Sequence, residues 1–121
     1  MNTITLPDLA QGEIYAGIIL NSEGTPSHHL ILLAGDNDDA SWKTQMDWAK
    51  SIGGELPTRA EQSLLFANCK HHFKSEWYWS AEQHASEPSW AWFQNFDYGN
   101  QYDDPKYYEL RARAVRRLVI E

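Results

Sequence analysis

The histidines, the single cysteine and the seventeen carboxylates are the side chains of this sequence best able to do chemistry, so their spacing comes first. The histidines fall at His28-His29, His71-His72 and His84. Neighbours on a strand point to opposite faces, so such a pair offers one ligand per face and not a chelate. Zinc needs three or four converging ligands, and that spacing is missing, so no metal is expected. The run from Asp36 to Asp47 begins like a calcium loop, with Asp38 following Asp36. It lacks the glycine that the sharp turn of such a loop requires, and no calcium site is expected. Cys69 falls late in a predicted helix, where the dipole disfavours a thiolate, and is expected to pack. Nucleophile elbows, phosphate-cradling glycine loops and dinucleotide fingerprints are absent. The chain reads as non-catalytic and free of cofactors.

Aromatic rings and amides remain. The stretch "SWAWFQNFDYGN", Ser89 to Asn100, holds five aromatics, and the chain has six tryptophans. On a strand, Trp90, Trp92, Gln94 and Phe96 alternate with Ala91, Phe93 and Asn95, so both faces carry rings. A half-buried strand would be apolar on one face only, so this one is either buried on both sides or bears a binding patch. Tyr, Trp, Asn and Gln give large contact area at modest entropic cost, the composition of recognition loops. The candidate ligand surface is therefore Trp90, Gln94, Asn95, Asp97, Tyr98, Asn100, Gln101, Tyr102, Asp103 and Asp104. Trp79, Trp92 and Phe96 are expected inside, and Trp90, Tyr98 and Tyr102 at the surface.

The elements that must position these residues are readable in outline. "GEIYAGIIL" and "SHHLILLAG" are strands joined by the turn "NSEGTP", an expected hairpin. A helix follows, capped by Asp39 or Ser41 and ended by Gly53 or Gly54, with Trp42, Met46, Ala49 and Ile52 inward. Thr58-Arg59-Ala60-Glu61 is a capping box that opens a second helix, with Leu64, Leu65 and Ala67 or Asn68 facing in. "WYWSAE", "SWAWFQNF" and, after a turn at Gly99, "YYELRARAVRRLVI" read as strands. In the last, Ala112, Ala114, Arg116 and Leu118 share one face, and Arg111, Arg113, Val115 and Arg117 the other. Segregated strands and helices make this an α+β chain, and 121 residues make one domain. The first and last strands are expected to pair.

Net charge is −7, with four of the five arginines between Arg111 and Arg117. An acidic surface repels phosphates, so no direct nucleic-acid binding is expected. No apolar run reaches the roughly 18–20 residues that span a bilayer, and the first residues lack the features of a secretory leader. With a lone cysteine, the expected setting is a host cytoplasm or a virion. The expected partner is a protein or a glycan. An alternative is electrostatic: Asp36, Asp38, Asp39, Asp97, Asp103 and Asp104 standing in for phosphates against a host nucleic-acid-binding complex.

Four motifs, "ELPTRAE" (Glu55–Glu61), "YWSAE" (Tyr78–Glu82), "AWFQNFDYGN" (Ala91–Asn100) and "RARAVR" (Arg111–Arg116), occur in one order. In this the chain resembles the Lcl C-terminal family of bacterial and phage domains of unknown function. The resemblance implies a C-type-lectin-like fold, with two helices, a small antiparallel sheet system and paired terminal strands. It places the ligand surface between Glu82 and Tyr108. It also implies that Leu56, Pro57, Trp79, Ser80, Ala114 and Val115 define the fold, with Arg113 and Arg116 as internal donors. Calcium-dependent sugar binders of that fold carry Glu-Pro-Asn and Trp-Asn-Asp. This chain has Glu87-Pro88-Ser89 and no Trp-Asn-Asp, so what is implied is scaffold without calcium or catalysis.

Overall fold

In the first hairpin, β1 (Ile14–Leu20) and β2 (Pro26–Leu32) meet across a turn in which the Asn21 carboxamide accepts from the N–H groups of Glu23 and Thr25. This computed structural model describes residues 5–121, so the first four of the residues read for a secretory leader lie outside the described residues. Leu30, Ile31 and Leu32 are buried on both faces, so β2 takes the centre of a three-stranded sheet. Its other neighbour is the last strand, β8 (Val115–Val119), with Leu30 opposite Arg117 and Leu32 opposite Val115. The first and last strands thus share a sheet without pairing. The strand with the longest buried run, His29 to Leu32, lies between them.

The second sheet has five strands in the order β3 (Asn37–Ala40), β7 (Leu110–Ala112), β4 (Trp77–Gln83), β5 (Trp90–Asn95) and β6 (Gln101–Pro105). It is mixed and not purely antiparallel, because β4 and β7 run parallel. The expected single C-terminal strand is two. Ala114 and Val115 are consecutive and both buried, which no flat strand with one wet face allows, and there the chain leaves one sheet for the other. At that crossover Arg113 donates to the carbonyls of His72 (2.6 Å) and Leu33 (2.7 Å). Arg116 holds Glu13 through two bonds of 2.9 Å. Both arginines serve as internal donors.

Helix α1 (Trp42–Ser51) starts at Ser41, whose hydroxyl accepts from the Thr44 N–H, and its chain turns away at Gly53, φ +86°. Ala49 points inward, but Ile52 is 40 % exposed and the buried polar member is Gln45. The Gln45 amide donates to the carbonyls of Asp38 and Leu110, both at 2.8 Å, tying α1 to the sheet. Helix α2 (Arg59–Cys69) begins with the complete capping box: the Thr58 hydroxyl accepts from Glu61 N–H and the Glu61 carboxylate accepts from Thr58 N–H. Its buried side is Gln62, Leu65 and Cys69 with Glu61, while Ala67 and Asn68 are exposed.

Each helix covers one face of the five-stranded sheet. Trp79, Ala91, Phe93 and Leu110 pack with Ala49 and Leu33 on the α1 side. Tyr78 and Phe96 pack with Leu65 and Cys69 on the α2 side, against Leu30 and Leu32 of the other sheet. Leu56, Pro57, Trp79, Ser80, Ala114 and Val115 are all buried. Among the described residues no helix is long and apolar enough to cross a membrane.

Candidate functional site: an aromatic cleft on the second sheet

Because cross-strand partners share a face, the register assigns each ring of β4, β5 and β6 to a side. Trp77 pairs with Asn95, Trp79 with Phe93, and Phe93 with Tyr102. These residues stand on the α1 side. Trp90, Trp92 and Gln94 alternate onto the other. Helix α1 packs on β3, β7 and β4, and the end of the face bearing Trp77 and Tyr102 extends beyond it.

There the surface sinks into a cleft of about 370 Å³, within the range of small-ligand sites. Its floor is Phe93, 3 % exposed, with the Trp77 ring stacked on it at 4.8 Å and 18°. Tyr98 and Tyr102 stand at its sides, 83 % and 61 % exposed. Asn95, Asn100, Asp103 and Asp104 complete the lining. Trp77 itself is 46 % exposed, so the rings present open area to a ligand.

The β5–β6 connection is built to hold this shape. The Asn95 carboxamide oxygen accepts from Asp97 N–H (2.8 Å) and Tyr98 N–H (3.4 Å), folding the chain back on itself. Gly99 then adopts φ +88°, and a Cβ there would lie 2.7 Å from the Phe66 ring, so only glycine fits. The turn closes with Asn95 N–H donating to the Asn100 carbonyl at 2.8 Å. Expected as a recognition loop throughout, the segment is a turn followed by a strand, and β6 holds Tyr102 and Asp104 in register.

Asp104 is the chemically distinctive residue. One of its carboxylate oxygens is buried and has no hydrogen-bond partner among the described residues. Burial pushes its carboxyl above the usual range, and the neighbouring Asp103 charge pushes the same way. Asp103 has a partner, the His84 Nε2 at 3.4 Å, and the His84 ring stacks on Trp92 at 5.3 Å.

Of the ten residues expected at the ligand surface, six line the cleft: Asn95, Tyr98, Asn100, Tyr102, Asp103 and Asp104. The other four lie elsewhere. Asp97 is exposed in the turn outside the cleft. Trp90 is half-buried and alternates onto the α2 side. Gln94 is wholly buried and accepts from Gln101, whose amide also donates to the Arg59 carbonyl at 2.8 Å. These two amides join the sheet to α2 and are structural, and Asn95 lines the cleft mainly as a turn-former. Trp92, expected inside, is half-buried because the Arg59 guanidinium covers it at 3.7 Å. Trp77 and Phe93 were not among the expected site residues. The cross-strand pairing that makes them neighbours requires the register, although "WYWS" beside a second aromatic strand was the available signal.

The acidic residues do not form one surface. Asp36 and Asp38 grip Arg111 at 2.8 and 2.7 Å, and the Tyr78 hydroxyl donates to Asp36. They lie at the β3–β7 edge of the sheet, whereas Asp103 and Asp104 lie on β6 at the opposite edge. Four strand spacings separate the two groups, roughly 19 Å. Among the described residues no three His, Cys, Asp or Glu side chains converge as a metal site. Burial raises the Cys69 thiol and Arg113 lowers it less, leaving it less ready to ionise than an ordinary cysteine. No family model matches the chain, and no curated protein matches it in sequence.

Proposed function

We propose that this is a non-catalytic recognition domain that binds a protein or glycan in the cleft between Trp77, Tyr98 and Tyr102. The observation that carries the reading is that three exposed rings and two amides converge on one concavity. Exposed aromatic area of that kind is costly to leave in water and is concentrated at binding sites. A C-type-lectin-like scaffold of the Lcl C-terminal type accords with it: two helices, a sheet that includes both the first and the last strand, and a second sheet bearing the cleft. In this reading the segment from Glu82 to Tyr108 supplies most of the ligand surface, with Trp77 added from the preceding strand.

The electrostatic alternative, a small acidic inhibitor of a nucleic-acid-binding complex, is less well supported. Its carboxylates divide between two sheet edges, and Asp36 and Asp38 are already matched by Arg111. Display of the protein on combined glycan and peptide arrays separates the two. The cleft reading expects binding to be lost in Trp77→Ala and Tyr98→Ala, retained in Asp38→Asn/Asp39→Asn, and resistant to salt. Loss in the aspartate variant, with salt sensitivity and intact binding by the ring variants, favours the inhibitor.

A further inference from the structure

The cleft combines rings with carboxylates, and no lysine or arginine is among its described lining residues. Among the described residues four positively charged groups already sit over aromatic rings: Arg59 on Trp92, Lys70 on Phe66, Lys106 on Trp42 and Arg113 on Phe73. One such contact per 70–80 residues is usual, so this chain relies on them heavily. None involves Trp77, Phe93, Tyr98 or Tyr102, and no lysine or arginine lines the cleft.

The reverse face of β5 shows what completes such a site. There the Arg59 guanidinium lies 3.7 Å from the Trp92 ring centroid while its Nε donates to the Gln101 amide oxygen at 3.0 Å. A planar cation is satisfied on its face by the ring and at its edge by an acceptor. The cleft side of the same sheet offers a larger ring surface and a stronger acceptor, Asp104, one of whose oxygens has no hydrogen-bond partner among the described residues. A buried acceptor without a partner is unfavourable, and a charged donor relieves it best.

We propose that the cleft takes an arginine side chain of a partner protein, its guanidinium stacked on the exposed rings and its edge donating to Asp104. This rests on the cleft being the recognition site and names the chemistry it selects. Charge complementarity supports it throughout: two carboxylates at the cleft, no local cation, and a net charge of −7. A neutral sugar could stack on the same rings but would leave the charge of Asp104 uncompensated.

The test is a titration with acetyl-Gly-Arg-Gly-amide, with its neutral citrulline counterpart and with chitotriose, following the indole N–H signals by NMR. The arginine peptide is expected to move the Trp77 signal saturably and to bind about tenfold more tightly than the citrulline peptide. Asp104→Asn is expected to abolish that preference while leaving the fold intact, since it removes one of two adjacent like charges. Tyr102→Ala, at an exposed ring, is expected to weaken the arginine peptide and provides a second variant. Equal binding of the two peptides, or an unchanged preference in Asp104→Asn, overturns the proposal. If chitotriose moves Trp77 and the arginine peptide does not, the cation assignment falls and the cleft reading stands. Responses confined to Trp90 or Trp92 overturn both.

Discussion

Glu61 shows how one side chain serves several parts of the fold. It is 1 % exposed, caps α2, accepts from Arg117 at 2.6 and 2.7 Å, and contacts His28 Nε2 at 2.7 Å. Burial by itself would raise its carboxyl, but the Arg117 bonds, the Thr58 N–H and His28 outweigh it and hold the group below the usual range. A carboxylate lowered in the folded state stabilises the protein above its unfolded value, and that stability is lost as pH falls through the lowered value. Acid unfolding monitored by circular dichroism is therefore expected to begin below about pH 4. Glu61→Gln is expected to blunt that dependence and to cost about 3 kcal/mol at neutral pH, because it leaves Arg117 short of its buried partner. Asp104 has the opposite sign. Its carboxyl is raised by burial and then by Asp103, so its ionised form opposes folding, and Asp104→Asn is expected to raise Tm at neutral pH. A thermal melt showing a fall would contradict this. Tyr78 is pushed up to about 12, first by burial and then by its bond to Asp36, and it stays protonated as a donor.

At the scale of elements, the β5–β6 turn determines whether the cleft exists. Gly99→Ala would place a Cβ against Phe66 and force a left-handed φ on alanine, at a cost of about 1–2 kcal/mol. It is expected to lower Tm and ligand affinity together, whereas Tyr98→Ala lowers affinity alone. Removal of the α2 cap by Thr58→Ala is expected to cost about 1 kcal/mol, measured by urea denaturation, with the cleft unaffected. That cap was fully legible in the sequence, since a capping box depends on four consecutive residues. So were both helices and the aromatic strands. Less legible was anything set by non-local pairing. No strand is expected over Asn37–Ala40, yet one forms because Asn37 and Ala40 find partners on β7. Gln45 outranks Ile52 as an inward residue of α1 because two backbone carbonyls of distant strands need its amide. Gln94 and Gln101 have the composition of a ligand site but bond to each other, a fact that only the β5–β6 register supplies.

Over the whole molecule, the chain passes between the two sheets twice, from β2 to β3 and back at Ala114-Val115, and charged bonds surround the second crossing. Arg113 ties it to Leu33 and His72, Arg117 to Glu61, and Arg116 to Glu13. The cluster of basic residues near the C-terminus is accordingly internal wiring, and the acidic groups left over stand at separated edges. What the molecule offers outward is the uncovered end of one sheet face, where Trp77 and Tyr102 lie beyond the reach of α1. Sequence composition points to the same strands but leaves open which face is exposed, and the register puts Trp90 on the opposite side from Trp77. The six tryptophans provide the most direct test. With the ligand selected on the arrays added to the protein, the account predicts that the Trp77 indole N–H signal moves strongly while those of Trp90 and Trp92 stay in place. A shift at Trp90 or Trp92 with Trp77 unmoved would put the ligand on the opposite face and contradict the assignment of the cleft.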